Sequence, residues 1–314
     1  MQPSFPVIPA DEMMRKLTHP GKKIRMVLDT DTFNEIDDQF AVTYAILSSN
    51  QMEVEAFYAA PFYNELSEGP ADGMEKSYQE ILKIRKILGS EDIPVYRGSE
   101  SFMTEANRPV ESEAARNLVE RAMASEPSDP LYVVGIGAIT NVASAILMEP
   151  AIIERIVVVW LGGNALEWPD TREFNLMQDI HSSRLLLDCG VPLILVPCVG
   201  VATHLHTNLS ELRDYVKGKG AIGDYLYETY KNCAKDHFAY SRVIWDISVI
   251  AWLNNPHWCW SSVVHSPVLS DDLRWSKDTN RHFIRCAYFI TRDPIFKDLF
   301  TKIAESAGSG EERS

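Results

Sequence analysis

Short, continuously apolar segments alternate with amphipathic segments through the first two thirds of the chain. Apolar runs predict β-strands at residues 24–28, 54–60, 93–96, 131–135, 156–161 and 191–197. Apolar positions with helical spacing predict helices between them, at residues 39–48, 75–88, 110–124, 140–148 and 182–189. Runs of Val, Ile and Leu such as residues 156–161 are typical of strands that are covered on both faces. The alternation predicts a mostly parallel sheet with helices on both of its faces.

The last third of the chain has a different pattern. Residues 209–235 and 243–253 have helical spacing, whereas residues 258–268 and 282–291 resemble short strands that would form a hairpin over one edge. The predicted fold is therefore an α/β fold with an open, mostly parallel sheet, followed by C-terminal helices and a small β-hairpin region. We divide the chain into an N-terminal arm (1–23), a single α/β domain (24–305) and a flexible tail (306–314).

Charge and cysteine content limit the partners and the compartment. The 314 residues carry a formal net charge of -14, which argues against nucleic acid or an anionic membrane surface as a partner. No stretch reaches the roughly 18 to 20 apolar residues that a membrane span needs. The five cysteines have no CxxC spacing, which favours reduced thiols in a cytoplasmic protein over a disulfide framework.

A cluster of aspartates, Asp29, Asp31, Asp37 and Asp38, directly follows the first predicted strand. Burying bare anions would cost several kcal/mol each, whereas a hard divalent cation prefers oxygen ligands and would neutralise them. The first two lie on one face of an extended strand, and the last two begin a predicted helix, whose N-terminus favours negative charge. The pattern predicts a metal site; a solvated acidic turn is the alternative.

Further polar or glycine-rich positions follow the ends of other predicted strands. Asn64 follows the second strand, residues 135–137 follow the fourth and residues 162–164 follow the fifth. Ligands of open α/β sheets collect at the carboxyl ends of the strands, so these positions predict one composite site. Glu173 and Asn175, two residues apart, could hold adjacent hydroxyl groups, although an exposed loop would explain them as well.

Two tryptophans are candidates for contact with an aromatic ligand. Trp168 follows Glu167 in a polar loop and could stack on a base or simply pack against the protein. Trp245 precedes Asp246 at the start of an apolar helix, where the aspartate could be no more than an N-cap.

In their order and spacing, these motifs resemble the nucleoside hydrolase family, the inosine-uridine-preferring group broadly. Members begin with a strand followed by Asp-x-Asp and Asp-Asp, which correspond here to Asp29-Thr30-Asp31 and Asp37-Asp38. The resemblance covers about residues 24–253 and includes Asn64, residues 92–98, 137–141 and 162–163, Glu173-Phe174-Asn175, Asp179 and Asp246.

The resemblance implies a Ca²⁺-dependent hydrolase that cleaves the N-glycosidic bond of ribonucleosides to free base and ribose. It also implies a homodimer or homotetramer. Residue by residue, it implies metal binding by Asp31, Asp38, Asp246 and the carbonyl of Ile136. It implies catalytic roles for Asp31 and Asn64, and substrate binding by Asp37, Asn64, Glu173 and Asn175. Trp245 is a further catalytic candidate, and Glu167, Trp168 and Phe174 are further candidates for substrate binding.

The chain departs from the family's pattern at three places. The loop between Asp31 and Asp37 is two residues longer than usual, and the His- and Gly-rich segment expected between Gly98 and Ala115 is missing. Trp245 stands where many members carry a His proposed as the leaving-group acid. A purine-preferring branch also has Trp there, stacked on the base, so we expect a preference for purine ribosides.

Two alternatives remain at this point. Asp29-Thr30-Asp31-Thr32 after a strand also resembles haloacid-dehalogenase-type phosphatases, in which Asp29 would be the nucleophile, Asp31 the acid/base and Mg²⁺ the metal. That family has no use for Asp37 and Asp38 or for Glu173-Phe174-Asn175. The altered acidic loop favours the other alternative, a catalytically impaired protein that binds ribose or nucleosides.

Overall fold

The computed structural model describes residues 4–311 of the chain, with side chains as far as residue 308. The strands in chain order are β1 (Ile24–Thr30), β2 (Met52–Ala59), β3 (Val95–Arg97), β4 (Leu131–Gly135), β5 (Ile156–Leu161), β6 (Leu193–Val196), β7 (His206–Thr207), β8 (Arg242–Val243), β9 (Cys259–His265), β10 (Val268–Leu269), β11 (Trp275–Ser276) and β12 (Phe283–Ile290). The α-helices are α1 (Ala10–Lys16), α2 (Asp37–Leu47), α3 (Pro70–Ile87), α4 (Glu113–Met123), α5 (Thr140–Met148), α6 (Phe174–Gln178), α7 (Ile180–Asp188), α8 (Leu209–Tyr215), α9 (Gly220–Asn232), α10 (Ile247–Asn254) and α11 (Arg292–Glu311).

The main sheet has eight strands in the order β3-β2-β1-β4-β5-β6-β12-β9. Its neighbours pair in parallel from β3 to β12, and only β9 runs antiparallel, at one edge. The predicted open, mostly parallel sheet is therefore confirmed. β1 lies between β2 and β4, so its carboxyl end meets theirs in the middle of one sheet edge.

Helices cover the sheet as the apolar runs predict. Every residue of β4 and β5 is buried, which requires cover on both faces of these strands. α2 packs against α10 and α11, while α5 packs against α4 and α7. α10 itself is buried over almost its whole length, which explains its uniformly apolar sequence.

The C-terminal third differs from the prediction in three respects. Residues 209–235 form two helices, α8 and α9, because Gly218 and Gly220 adopt positive φ angles of 74° and 70° between them. β9 and β12 do pair antiparallel, but β12 also pairs with β6 and thus extends the main sheet. α11 was not predicted; it buries residues Ile295, Leu299 and Ile303 at helical spacing.

The ends of the chain are partly structured. α1 lies in the predicted N-terminal arm, where Met13 and Leu17 are buried in the core. Residues 306–311 of the predicted flexible tail belong to α11, whereas residues 1–3 and 312–314 lie outside the described residues. Within residues 4–311, no helix combines the length and apolar character needed to cross a membrane.

Candidate active site

Three elements bring the predicted acidic residues to one place. β1 ends with Asp29 and Thr30, and Asp31 follows directly. Asp37 and Asp38 form the first turn of α2, and Asp246 immediately precedes α10. Both helix N-termini favour negative charge, so the backbone supports this concentration of carboxylates.

The tightest group consists of Asp37, Asp38 and Asp246. One carboxylate oxygen from each lies within 4.8 Å of the others, and all three residues are buried. Thr30 Oγ1 donates a hydrogen bond to Asp38 Oδ1 at 2.5 Å, and the backbone N–H of Trp245 donates to Asp37 Oδ2 at 3.0 Å. This geometry suits a divalent cation with oxygen ligands.

Asp31, predicted both as a ligand and as a catalytic residue, lies outside this tightest group. It is fully buried, and neither side-chain oxygen has a hydrogen-bond partner in the described part of the chain. A Cβ atom at Gly137 would lie 2.8 Å from Asp31 Oδ1, so this close approach of the backbone requires glycine. The structure thus places Asp37, rather than Asp31, in the group of three mutually close carboxylates.

Burial and mutual repulsion change the acidity of the cluster. Desolvation, reinforced by the neighbouring carboxylates, raises the pKa values of Asp31, Asp37 and Asp246 well above their usual range. Burial raises the pKa of Asp29 to about 7, against the opposing effect of a 2.7 Å hydrogen bond from Asn141. Buried anions without enough donors are costly, and a bound cation would remove that cost.

Two contacts hold the longer acidic loop in place. Asn64 Nδ2 donates to Asn34 Oδ1 at 2.7 Å, so the predicted active-site asparagine contacts the inserted segment. Arg242 Nη2 lies 2.5 Å from Glu35 Oε2 and forms an ion pair with it. The loop therefore folds over the acidic cluster between β2 and the segment that precedes α10.

A cavity of about 240 Å³ opens beside the cluster. Eight of the predicted site residues line it: Asp37, Asp38, Ile136, Glu173, Phe174, Asn175, Trp245 and Asp246. Seven further residues also line it: Asn34, Glu35, Leu161, Asn164, Arg172, Cys198 and Val199. Residues that are far apart in the sequence thus share one cavity at the carboxyl edge of the sheet.

Glu173 and Asn175 have structural partners within this wall. The Glu173 carboxylate accepts hydrogen bonds from the backbone N–H groups of Gly163, Asn175 and Leu176, and so caps α6. Asn175 Nδ2 donates to the carbonyl oxygens of Ile136 and Leu161 at 3.2 and 3.1 Å. These bonds fix both side chains, and they also orient the Ile136 carbonyl that was predicted to bind metal.

The structure does not place Asp31, Asn64, Glu167 or Trp168 in the cavity wall. Trp168 is 48% exposed on the loop after β5, so its ring faces largely into solvent. Asp31 is absent from the wall because it is buried against Gly137. Asn64 is absent because its side chain is bonded to Asn34. A role in substrate binding for Glu167 and Trp168 stays a prediction without support from the cavity.

Sequence reasoning missed several wall residues. Cys198 comes shortly after β6, so the rule that ligands collect at strand ends would have identified it. Asn34 and Glu35 lie in the insertion, where no family pattern applies. No motif in the sequence pointed to Arg172, apart from its position next to Glu173.

Comparisons with known proteins identify the family of the chain. The family described as inosine-uridine preferring nucleoside hydrolase matches residues 26–287. The pyrimidine-specific ribonucleoside hydrolase RihA of Klebsiella pneumoniae is 25% identical over 194 residues, 54% of this chain and 58% of that protein. The chain spans about half the length of the curated relatives that it matches.

Solved structures share the fold at low sequence identity. A plant nucleoside hydrolase, PpNRh1, has a TM-score of 0.73 at 18% identity and covers 91% of this chain and 99% of its own. A purine-preferring ribonucleoside hydrolase from Gardnerella vaginalis has a TM-score of 0.71 at 18% identity and covers 90% and 99%. These likenesses show the fold, and the family match over most of the chain shows that it belongs to the inosine-uridine preferring nucleoside hydrolase family.

Proposed function

We propose that this protein is a Ca²⁺-dependent hydrolase that cleaves the N-glycosidic bond of ribonucleosides and releases free base and ribose. The observation that carries the proposal is the shared cavity, in which the acidic cluster, the segment 173–175 and Trp245 lie together. Membership of the family removes the alternative of a haloacid-dehalogenase-type phosphatase.

The residues present fit a divalent cation. Asp38, Asp246 and the Ile136 carbonyl would hold it, with Asp37 or the unpartnered Asp31 as a further ligand. When bound, the ion would offset the buried negative charge and activate the attacking water as a Lewis acid. Oxygen ligands from carboxylates and a carbonyl favour Ca²⁺ over softer metals.

The side chains themselves supply the remaining chemistry. Asp31, whose side-chain oxygens have no hydrogen-bond partner in the described part of the chain, would take the proton of the attacking water as an ionised carboxylate. Cleavage passes through an oxocarbenium-like ribosyl cation, which the surrounding carboxylates stabilise. Asp37, Glu173 and Asn175 would hold the ribose hydroxyls, and these hydrogen bonds contribute most where they strengthen in the transition state.

We further propose a preference for purine ribosides, with Trp245 stacked on the base. Trp245 lines the cavity, and its backbone N–H is fixed by Asp37. Stacking of an indole on a base is favourable by about 1 to 3 kcal/mol. The relatives include one named as pyrimidine-specific and one named as purine-preferring, so selectivity has to be measured on this chain.

The test is release of free base from purine, pyrimidine and nicotinamide ribosides, with Ca²⁺ and after chelation. We expect hydrolysis that requires the metal, is fastest on a purine riboside and is abolished in Asp246→Asn. Asp11→Asn, a change at an exposed position of α1, is the matched control and should retain full activity. Metal-independent hydrolysis, or none on any riboside, would contradict the proposal.

A second candidate is a protein that binds ribose or nucleosides without turnover. The contacts of the longer loop favour this candidate, because the Asn64 amide already donates a hydrogen bond to the Asn34 side chain. That donor is then not free to contact a water or a substrate. Calorimetric titration with ribose and inosine at saturating Ca²⁺ separates the two. Saturable binding together with unchanged nucleoside after prolonged incubation would establish this candidate and exclude the hydrolase.

We also propose a homodimer or homotetramer that works in the cytoplasm on a small nucleoside-like substrate. An exposed aromatic pair at the β9–β12 edge, Trp260 and Phe289, supports an interface there. All five cysteines are free, which fits a reducing compartment. Light scattering should show an oligomer that Trp260→Ser weakens, and a monomer at micromolar concentration would refute the assembly.

A further inference from the structure

Asn141 lies in the first turn of α5 and is bonded to the ends of three strands. Its side chain is fully buried. Its Nδ2 donates to Asp29 Oδ1 at 2.7 Å and to the carbonyl of Ala59 at 3.2 Å, at the ends of β1 and β2. Its Oδ1 accepts hydrogen bonds from the backbone N–H and the hydroxyl of Ser99, shortly after β3, both at 2.8 Å. The side chain therefore connects α5 to the sheet edge at which the acidic cluster lies.

These partners allow the amide of Asn141 only one orientation. The reversed amide would set its oxygen against the oxygens of Asp29 and Ala59, and its nitrogen against the N–H of Ser99. Close packing leaves the side chain no other place, since a Cβ atom at Gly98 would lie 2.5 Å from Asn141 Nδ2. The donor to Asp29 is thus held in a fixed position.

The Asp29 carboxylate depends on this donor. In the described part of the chain, Asn141 is its one hydrogen-bond partner, because Oδ2 has none and the residue is fully buried. A buried acceptor that loses its donor is costly, and burial keeps water from replacing the bond. Loss of Asn141 would therefore release the Asp29 side chain.

Asp29 also holds both ends of the turn between β4 and α5, residues 136–141. At the start of the turn, the N–H of Ile136 donates to the Asp29 carbonyl at 2.9 Å, and at its end Asn141 bonds the Asp29 side chain. Between these bonds the backbone at Gly137 passes so close to Asp31 that a Cβ atom would lie 2.8 Å from its Oδ1. Two proposed metal ligands, the Ile136 carbonyl and Asp31, therefore lie next to a turn that Asn141 closes.

We propose that Asn141 is a positioning residue that raises the Ca²⁺ affinity of the acidic site. By bonding Asp29, it holds the turn 136–141 against β1, so that the Ile136 carbonyl and Asp31 are in place before the cation binds. Groups that orient metal ligands in this way contribute about 10- to 100-fold to metal affinity. The inference rests on the metal site of the proposed function, although Asn141 itself does not line the cavity.

The test is calorimetric titration of metal-free protein with Ca²⁺, which does not require hydrolysis. Asn141→Ser should weaken Ca²⁺ binding at least tenfold, because serine is too short to reach Asp29. Ser144→Ala is the matched control: Ser144 is buried in the same helix and accepts a hydrogen bond from the Val110 N–H at 3.0 Å. It should lower the free energy of unfolding and leave Ca²⁺ affinity unchanged. Unchanged affinity in Asn141→Ser, or an equal loss in Ser144→Ala, would overturn the proposal.

A double-mutant cycle shows whether Asn141 acts through Asp29. Asp29→Ala removes the acceptor of the same bond, so Asn141→Ser should weaken Ca²⁺ binding less than threefold in that background. Losses that multiply would indicate a general loosening of the site and would overturn the role of this bond. Asn141→Leu, which keeps much of the side-chain volume, takes the place of Asn141→Ser in both measurements if the serine variant fails to fold.

Hydrolysis tests the proposed function separately. At Ca²⁺ concentrations well above its weakened affinity, Asn141→Ser should recover nucleoside hydrolysis with the wild-type KM, because no residue of the cavity wall has changed. A loss that excess Ca²⁺ does not restore would overturn the positioning role. Wild-type protein that binds Ca²⁺ and hydrolyses no riboside would refute the proposed function alone, whereas wild-type protein that binds no Ca²⁺ would refute both.

Discussion

At the residue scale, individual carboxylates determine what this site can bind. Asp38 and Asp246 come from helices that are distant in the sequence, yet their oxygens and those of Asp37 lie within 4.8 Å of one another. Asp38 is additionally oriented by Thr30, and Asp37 by the backbone of Trp245. Each side chain therefore has a defined direction before any cation binds, as a rigid metal site requires.

Asp38→Asn should weaken Ca²⁺ binding at least 100-fold, equivalent to about 2.8 kcal/mol. The amide keeps the shape of the side chain but removes the charge that pairs with the cation. Calorimetric titration of metal-free protein with Ca²⁺ measures the change, with Asp11→Asn as the control at an exposed position. A change smaller than threefold would show that Asp38 is not a ligand.

Trp245→Ala should lower kcat/KM for purine ribosides at least tenfold, about 1.4 kcal/mol, because it removes the stacking surface for the leaving base. Hydrolysis of p-nitrophenyl riboside, whose leaving group needs no protonation, should change little. Steady-state kinetics on both substrates gives the comparison. Equal losses on both would mean that Trp245 only positions Asp246.

At the element scale, the loop of residues 32–36 replaces a shorter turn and becomes part of the cavity wall. Glu35 and Asn34 line the cavity, and their partners Arg242 and Asn64 come from other elements. The loop is therefore tied to β8 and to the segment after β2, in addition to a local turn in which the backbone N–H of Asn34 donates to the carbonyl of Asp31 at 2.8 Å.

The Arg242–Glu35 ion pair should couple the loop to β8 by about 0.5 to 1 kcal/mol. A double-mutant cycle with Glu35→Gln and Arg242→Gln, read by urea unfolding, measures this coupling. The pair is partly buried, with exposures of 25% and 42% for the two side chains, so screening by solvent is incomplete. The more exposed pair Arg116–Glu111 serves as the control, with a smaller coupling. Additive effects at Glu35 and Arg242 would contradict the anchoring.

At the scale of the whole molecule, the buried acids make folding depend on pH and on metal. The pKa of Asp29 is raised to about 7, and the pKa values of Asp31, Asp37 and Asp246 are also raised. Between the unfolded and folded pKa values, the folded state binds more protons than the unfolded state. Stability of the metal-free protein must therefore fall as pH rises through this window.

The free energy of unfolding of metal-free protein should fall between about pH 4 and about pH 7, by up to about 4 kcal/mol from Asp29 alone. Urea unfolding in the presence of a chelator measures the slope. Asp29→Asn should reduce the slope, Asp11→Asn should not, and added Ca²⁺ should flatten it by replacing protons in the cluster. Stability that rises with pH over this range would refute the assignment of buried, protonated acids.

The sequence by itself determined the parallel part of the sheet and the position of the acidic cluster. The fully apolar runs of β4 and β5 can only be strands that are covered on both faces, and both were predicted with the correct limits. The acidic residues had to collect at the end of β1, because side chains that follow parallel strands meet at one edge. These features depend on local patterns, which a sequence displays directly.

Only the tertiary structure decided which of these residues share a cavity and what each one contacts. No local pattern could show that Asp37, rather than Asp31, joins Asp38 and Asp246 in one group of carboxylates, or that Asn64 is bonded to Asn34, because these contacts depend on the path of an inserted loop. Likewise, the pairing of β12 with β6 arises between segments far apart in the chain. Long-range packing decides such contacts, since the free energy of each depends on neighbours that sequence order does not specify.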